Sequence, residues 1–561
     1  MRLKILTFFA ALALACCAFG VACKPRGIDN IALNGSGELV VTMKDGSLTN
    51  LGKIGGEDGE RVEEAYAEDG GLSFKLVTGD TVDLGEIDDD GEALKEAYLD
   101  DDGYLILAFS EEKTFNCGKA VYGGTVANDF EYEEVKDGQE LVGYTVTGLL
   151  NNETAEIYIS PKYKGKPVVG ISEEAFKNNG KMESVTVPDS VKSIGARAFS
   201  DCVKLKTISV GRGLETTGEA VFARCEGLEK VNVNDIAEWC GADFASPSSN
   251  PLYFASTLLL NNEEITDLQI PDSAEKIGRY AFYECENVKS VNTGKGVKEI
   301  GESAFFGCDV LESAVIGDGV TKIGEQAFSG CTLLKTLTLG NGLTEIGEYA
   351  FANCDNLEEA DIPSSVKIIG ESAFSECYSL KKVTMRYGLE TICDGAFAGC
   401  SSLGRFIMPD SVKSIGFGIL MNTYGGGFVD PSGEEGGVTE IRVSNSLTEI
   451  SDYAFASCAI KSIILGNSVK IIRYSSFFGC GALESIVIPK SVSTVQSYAF
   501  HNCDNIKTVY YCGDSSDWNR VFIGRNGNDK LREAKVYFYS EQPDSSGNFW
   551  HYVNGAPAVW E

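Results

Sequence analysis

Residues 362–380 read IPSSVKIIGESAFSECYSL, and most of the 561-residue chain repeats this pattern. Each copy has an apolar slot, usually isoleucine, with a phenylalanine five residues later and a cysteine three residues after that. Successive copies are 23 residues apart over long stretches, and a fixed period of this length is typical of a solenoid. One unit cannot bury its apolar face alone, so neighbouring units must complete the core. The phenylalanine and cysteine slots are filled by Phe199, Phe222, Phe282, Phe305, Phe328, Phe351, Phe374, Phe397, Phe455, Phe477 and Phe500, and by Cys202, Cys225, Cys285, Cys308, Cys331, Cys354, Cys377, Cys400, Cys458, Cys480 and Cys503.

The net charge and the cysteine count limit which partners and which kind of fold the chain can have. A formal net charge of −34 argues against a nucleic-acid partner, because phosphate binding needs clustered Lys and Arg. It favours a soluble surface that repels its own copies. Eleven of the 18 cysteines occupy the repeat slot, so the repeat explains them better than a disulfide framework does. Their side chains should point in parallel into the core, which predicts free thiols.

The N-terminus predicts export. Arg2 and Lys4 precede an apolar run over residues 5–22, which is typical of a secretory signal peptide at residues 1–22. Cys23 follows this run and precedes polar residues, so the segment resembles a bacterial lipoprotein signal, although Gly20 replaces the usual leucine. The resemblance implies lipidation of Cys23, a linker at residues 23–27 and anchoring to the membrane. Secretion without lipid and an uncleaved membrane anchor are the alternatives.

The remaining chain divides into regions with different repeats. Residues 28–121 contain three copies of a 33-residue pattern of alternating apolar residues around Asp-Gly or Gly-Asp, which predicts a stalk of small β-hairpins. Residues 122–180 are predicted to be N-terminal capping repeats, and residues 181–511 the solenoid proper. Insertions near 235–266 and 422–437 should form loops on one side of the stack. The aromatic-rich residues 512–561 should cap the last coil and cover its open sheet edge.

One coil contains a strand with the spacing of a leucine-rich repeat. Leu380, Val383 and Met385 follow the L-x-x-L-x-L pattern, and the Ala-Phe-x-x-Cys segment should fill the interior. The consensus I-P-x-S-V-x-x-I-G-x-x-A-F-x-x-C-x-x-L resembles the BspA-type leucine-rich repeats of bacterial surface proteins over residues 130–511. The predicted fold is therefore a mainly β repeat solenoid, a leucine-rich repeat array with a 23-residue period preceded by small β-hairpin repeats. The resemblance implies a surface protein that binds partners, with no catalytic residues to transfer.

The sequence marks no catalytic or metal site. The two histidines, His501 and His551, lack the context of a nucleophile pair. Cysteines 23 residues apart on successive coils form a row and not a tetrahedral metal site. Carboxylates are abundant, but no pair is marked as a glycosidase site. We therefore predict no enzyme activity, no metal and no cofactor.

The outward position of each strand changes character along the array. It begins with small polar residues from Thr186 onward and ends with an apolar strip around one arginine. Such a composition is typical of a protein-binding patch, unless the glycine-rich insertion or the C-terminal tail covers it. The predicted binding residues on this concave face are Ile407, Arg442, Ile464, Val487 and Tyr510.

These observations predict an exported protein of the cell surface, anchored by lipid on Cys23 or secreted. Its expected role is adhesion or interaction, with a protein or a glycan on a host or microbial surface as partner. A structural spacer is the first alternative, and a carbohydrate-active enzyme is the second and weaker one.

Overall fold

The computed structural model describes residues 130–150, 154–255, 257–423, 437–542 and 548–560, and in the preceding part of the chain the backbone of nine strands within residues 28–119. The residues divide into two compact units, Met1–Asn234 and Asp235–Glu561. Cys23 and most of the glycine-rich insertion lie outside the described residues.

The nine N-terminal strands form three antiparallel sheets of three strands each, one sheet for each copy of the 33-residue pattern. Each copy thus has one strand more than the predicted hairpin. The strands are Ile28–Leu33, Leu39–Met43 and Leu48–Asn50, then Val62–Glu68, Gly71–Leu76 and Thr81–Glu86, then Glu96–Leu99, Tyr104–Ala108 and Thr114–Lys119.

The rest of the first unit begins with a hairpin and continues as parallel coils. Phe130–Asp137 pairs antiparallel with Glu140–Leu149. The same sheet continues with the parallel strands Lys166–Ile171, Ser193–Ile194 and Thr216–Thr217. The short strand Lys162–Tyr163 pairs with the first of these. A second sheet contains the parallel strands Glu156–Tyr158, Ser184–Val187, Thr207–Val210 and Lys230–Val233.

The second unit has the same two-sided coils. We call the side with the longer strands the strand face. Its strands are Asp267–Gln269, Ser290–Asn292, Ser313–Val315 and Thr336–Thr338 in one sheet, and Glu359–Ile362, Lys382–Met385, Arg405–Ile407, Glu440–Arg442, Ser462–Ile464, Ser485–Ile488, Thr508–Tyr511, Lys535–Tyr539, Phe549–Val553 and Ala556–Val559 in the next. The opposite side has two-residue strands at Lys276–Ile277, Glu299–Ile300, Lys322–Ile323, Glu345–Ile346, Ile368–Ile369, Thr391–Ile392 and Ser414–Ile415, and at Glu449–Ile450, Ile471–Ile472, Thr494–Val495 and Phe522–Ile523. Parallel pairing of equivalent positions in successive coils, such as Ile300 with Ile323, confirms the predicted solenoid.

The insertion at 235–266 is not the simple loop that the sequence predicts. It contains the helix Ile236–Gly241, two 3-10 helices at Pro247–Ser249 and Pro251–Tyr253, and a hairpin of Thr257–Leu260 with Glu263–Glu264. Asp235 caps the helix by accepting bonds from two backbone amides. Trp239 is buried, and its Nε1 donates to the carbonyl of Ala281 at 2.8 Å. The inserted residues form these elements because they include large apolar side chains that are buried in the core, such as Trp239, Phe244 and Leu252.

The core of each coil is built around the phenylalanine and cysteine slots. Phe305, Phe328 and Phe351 are fully buried, and successive rings stack with centroids 4.9 and 5.3 Å apart. The cysteine Sγ of one coil donates to the phenylalanine carbonyl of the coil before it, as from Cys331 to Phe305 at 3.2 Å. All fourteen cysteines in the described part of the chain carry free thiols. The column therefore follows the prediction of free thiols that point into the core.

Two residues per coil adopt left-handed backbone angles, four positions apart on either side of the Ala-Phe pair. In the coil around Phe374 they are Ser372, with φ of 50°, and Glu376, with φ of 60°. This segment bonds to the next coil through its amides, since Ser372 N donates to Asp394 O and Phe374 N to Ala396 O, each at 2.8 Å. The left-handed conformation costs a non-glycine residue roughly 1–2 kcal/mol, so the coils carry local strain at repeated positions.

Replacing one strained residue with glycine should stabilise the protein. We expect Ser372→Gly to raise stability by up to about 1 kcal/mol, because glycine adopts φ above zero without the penalty of a Cβ. The midpoint of urea unfolding measures the change. Ser375→Gly is the matched control, since Ser375 lies three residues away with negative φ, and this change should be destabilising. Equal destabilisation by both changes would contradict the proposed strain.

Candidate binding cleft

In each unit, the longer strands of the coils carry mostly polar residues at their central position. The central strand residue is exposed or half-exposed at most of these positions, and only Asn232 among the polar ones is buried. In the middle of the second unit, Arg386 donates from two guanidinium nitrogens to the two carboxylate oxygens of Asp361. These central residues are Thr186, Ser209 and Asn232 in the first unit, and Gln269, Asn292, Val315, Thr338, Asp361 and Thr384 in the second.

The five predicted binding residues lie on consecutive neighbouring strands. Ile407 is paired with Arg442, Arg442 with Ile464, Ile464 with Val487, and Val487 with Tyr510. The structure therefore brings all five together in one row on the strand face.

Their exposure differs from the prediction toward the C-terminus. Arg442 is exposed, Ile464 is 37% exposed and Ile407 is half-buried, but Val487 is only 2% exposed. Tyr510 is half-buried and stacks on Tyr537 of the next strand. The tail thus covers the C-terminal end of the strip, which is the alternative that the sequence left open, and Val487 is not a surface residue.

Trp550 holds the tail against the array. It is fully buried, and its Nε1 donates to the carbonyl of Tyr511 at 3.0 Å. Its ring also makes edge contacts with Tyr510 at 5.4 Å and with Tyr539 at 5.3 Å. The hairpin formed by Phe549–Val553 and Ala556–Val559 starts from this anchor.

A cleft of about 760 Å³ lies between the strand face and this hairpin. Arg442, Ile464 and Val487 line one side, and Tyr552 and Pro557 of the hairpin line the other. The volume falls within the roughly 300–1,000 Å³ of typical ligand sites. Three of the five predicted binding residues therefore belong to a concave site and not to a flat strip.

The hairpin wall is fixed by contacts behind it. Tyr552 lies beside Cys512, and its ring lies 4.8 Å from that of Trp550. Burial, with the Cys512 group beside it, raises the pKa of Tyr552 to about 12. Burial also raises the pKa of Cys512 to about 11. Both groups are therefore neutral at physiological pH.

The charged groups of the cleft are paired within the chain. Arg405 donates to both carboxylate oxygens of Glu440, at 2.7 and 2.9 Å. The guanidinium of Arg442 lies 3.5 Å from the carboxylate of Asp410. Asp410 also accepts from the backbone amide of Asn445 at 3.0 Å, and this bond is the main cause of the lowered pKa of Asp410. The described lining of the cleft therefore offers polar contacts in which the charges are balanced by partners.

Among the residues that the structure describes, Glu440 is the carboxylate that lines the cleft, and Arg405 occupies both of its oxygens. Elsewhere, His501 contacts the rings of Phe478 and Tyr498, and His551 stacks on Trp560. Within the described part of the chain, no three His, Cys, Asp or Glu side chains gather closely enough to hold a metal ion.

Sequence reasoning missed the hairpin wall. Tyr539, Tyr552 and Pro557 line the cleft, but the sequence marks them only as members of an aromatic tail. The concentration of aromatics after residue 512 was the available signal, and it indicated a cap without showing which face the cap would reach.

Comparisons with known proteins agree with this architecture. A family model described as the BspA type leucine-rich repeat region matches residues 169–249, 254–319, 298–425 and 434–522. No curated protein matches the chain. Among the residues that the structure describes, no helix has the length and apolar composition needed to cross a membrane.

Several solved structures are similar over most of their length. A leucine-rich repeat protein from Bacteroides ovatus ATCC 8483 is 23% identical with a TM-score of 0.48, covering 74% of this chain and 99% of its own. A leucine rich cell surface protein from Faecalibacterium prausnitzii A2-165 is 25% identical, with a TM-score of 0.35. The match covers 71% of this chain and 97% of that protein. A leucine-rich repeat protein from Eubacterium ventriosum ATCC 27560 is 20% identical, with a TM-score of 0.33. The match covers 72% of this chain and 94% of that protein.

Proposed function

Because the chain belongs to the BspA-type leucine-rich repeat family, we propose that it is a binding protein of the cell surface. The observation that carries this proposal is the cleft of about 760 Å³, where the strand face ceases to be a polar surface and acquires an aromatic wall. Concave sites with a few placed polar groups are the usual locations of ligand binding. The partner is a molecule on a host or microbial surface.

The proposal includes attachment to the membrane. Cys23 follows the apolar run that we interpret as a signal peptide, so the mature chain would begin with a lipidated Cys23. One or more acyl chains would anchor the protein, and the N-terminal β repeats would separate the array from the membrane. Mass spectrometry of the mature N-terminus tests this, and an unmodified chain that begins elsewhere would refute it.

Binding should depend on the two walls of the cleft. We expect Tyr552→Ala and Arg442→Ala each to weaken binding by about 2 kcal/mol, or roughly 30-fold, because buried aromatic and arginine contacts carry most of the energy of an interface. Binding of the labelled chain, from residue 23 onward, to host cells and to bacterial cells measures the effect. Circular dichroism of each variant establishes that folding is intact.

Thr338→Ala is the control for the binding measurement. Thr338 is an exposed central residue of the strand face and does not line the cleft, so its loss should leave affinity unchanged. If Thr338→Ala weakens binding while Tyr552→Ala and Arg442→Ala do not, the partner docks on the polar part of the strand face and the cleft is not the site.

A structural spacer remains the second candidate. The small polar residues and ion pairs on the strand face, such as Arg386 with Asp361, favour a solvated surface over much of the array. A spacer predicts that the chain binds no cell surface at all. The same binding experiment therefore separates the two functions.

A further inference from the structure

The polar groups of the cleft include several that the chain itself does not use. Within the described part of the chain, the side chains of Ser462, Ser485 and Asn467 make no hydrogen bond, and all three line the cleft. Asn445 is fixed on the same side, since its Nδ2 donates to Asp410 and its Oδ1 accepts from the backbone amide of Asn467. The cleft therefore presents hydroxyl and amide groups that can donate and accept hydrogen bonds with a ligand.

The aromatic wall presents ring faces beside these groups. Tyr539 and Tyr552 are 39% and 42% exposed, and their centroids lie 6.2 Å apart. The edge contact of Tyr552 with the buried Trp550 holds the Tyr552 ring in place before any ligand arrives. A fixed ring offers a large contact surface at little cost in conformational entropy.

Charge narrows the class of ligand. Of the residues that the structure describes, Glu440 and Arg442 are the charged ones that line the cleft; Glu440 is paired with Arg405, and Arg442 with Asp410. The chain as a whole has a net charge of −34, which repels acidic ligands. A ligand of this cleft is therefore neutral, with hydroxyl groups on its edges and apolar faces that stack on tyrosine.

The floor of the cleft argues against a peptide. Ser462–Ile464 and Ser485–Ile488 are internal strands of a parallel sheet, so their main-chain groups are paired and cannot extend a ladder to a bound strand. Val487 is covered, and Ile464 is the exposed apolar residue of the floor, which leaves little surface for an apolar anchor.

We propose that the cleft binds neutral carbohydrate, as the end of an oligosaccharide chain on a cell surface. This inference rests on the proposed function and names the partner class of the same site. Sugar rings stack on Tyr539 and Tyr552, and sugar hydroxyls bond to Asn467, Ser462 and Ser485.

The direct test is an array of neutral and acidic oligosaccharides probed with the chain from residue 23 onward. The expected result is binding to a subset of neutral glycans. For a glycan that binds, titration calorimetry should show that Tyr552→Ala lowers the affinity at least tenfold. Asn467→Ala should lower the affinity by up to about tenfold, because the hydrogen bonds of its amide are lost. Tyr552→Phe is the matched variant, which keeps the ring and should change affinity by less than threefold. The proposal would be overturned if the chain bound only acidic glycans, or if Tyr552→Ala bound the glycan with the same affinity as the unaltered chain.

Cells treated with periodate or glycosidases separate this inference from the proposed function. Loss of cell binding after treatment supports carbohydrate as the partner. Binding that survives treatment but is lost in Tyr552→Ala makes the cleft a protein site, so the proposed function stands and the carbohydrate inference fails. If the chain binds neither cells nor glycans, both fail.

Discussion

Above about pH 9 the protein is expected to lose stability much more steeply than an ordinary domain of its size. Burial raises the pKa of Cys202 and Cys225 to about 12, whereas an unfolded thiol has a pKa near 8.5. Below pH 8.5 the thiols are protonated in both states. Above it the unfolded state releases protons first, so each thiol costs about 1.4 kcal/mol of stability per pH unit until its folded pKa is reached. Burial also raises the pKa of Cys240, Cys285, Cys308, Cys331, Cys354, Cys400, Cys458 and Cys480.

The eight cysteines of that last group lie in the second unit, where the combined slope is on the order of 10 kcal/mol per pH unit. A typical domain stability of about 5–15 kcal/mol would then be exhausted within about two pH units. Circular dichroism between pH 7 and 11 follows the transition, and thiolate absorbance should rise with it.

Two experiments, one with added salt and one with cysteine substitutions, distinguish ionisation of the buried thiols from general charge repulsion as the cause of the alkaline transition. Repulsion among the exposed acidic groups is screened at 1 M NaCl, whereas the ionisation of buried thiols is coupled to unfolding at any salt concentration. The triple variant Cys308→Ala/Cys331→Ala/Cys354→Ala should unfold with a shallower dependence on pH. If 1 M salt removes the alkaline transition, or if the triple variant keeps the full slope, the thiols are not its cause.

Trp550→Ala should release the tail and destroy the cleft. Truncating a buried tryptophan costs about 3–5 kcal/mol, and here it also removes the bond to the Tyr511 carbonyl. Because each coil contacts mainly its neighbours, the loss should be confined to the C-terminal end. We expect amide hydrogen exchange of Thr508–Tyr511 and of Lys535–Tyr539 to increase at least tenfold, together with loss of partner binding.

Trp560→Ala is the matched control in the same tail. Trp560 stacks on His551 at 3.5 Å and donates to Ser540 O at 2.9 Å, but it is half-exposed, unlike the fully buried Trp550. Its loss should cost about 1 kcal/mol and leave exchange in Thr508–Tyr511 unchanged. Unchanged exchange there in Trp550→Ala would show that the tail does not depend on this anchor.

The repeat made the solenoid predictable, but two features of each coil were beyond sequence reasoning. A strand of two residues, such as Ile368–Ile369, is too short to show the alternation that identifies a strand, so the second sheet was not predicted. The left-handed positions are also hidden, because Ser372 and Glu376 are not residues that signal a positive φ. Regular stacking of the coils imposes both features.

The candidate site was predicted in part. The change from polar to apolar residues drew attention to the row that contains Arg442 and Ile464, which the structure places beside the cleft; that this row binds a partner stays a prediction. The burial of Val487 could not be foreseen, because it depends on where the tail hairpin lies against residues distant in sequence. Trp550 decides that position, and an isolated tryptophan in a tail does not show which carbonyl its indole will reach.

The thiol hydrogen bonds between coils all point the same way along the chain. This direction affects how an array folds during synthesis and which repeats it can lose. Each donor reaches back toward the N-terminus, as Cys354 does to Phe328 and Cys377 to Phe351. Where the preceding phenylalanine is missing, Cys285 turns instead to the side chain of Asn287. A coil that emerges during synthesis therefore finds its acceptor already in place. Repeats lost from the C-terminal side would leave no thiol without a partner, whereas repeats lost from the N-terminal side would leave one.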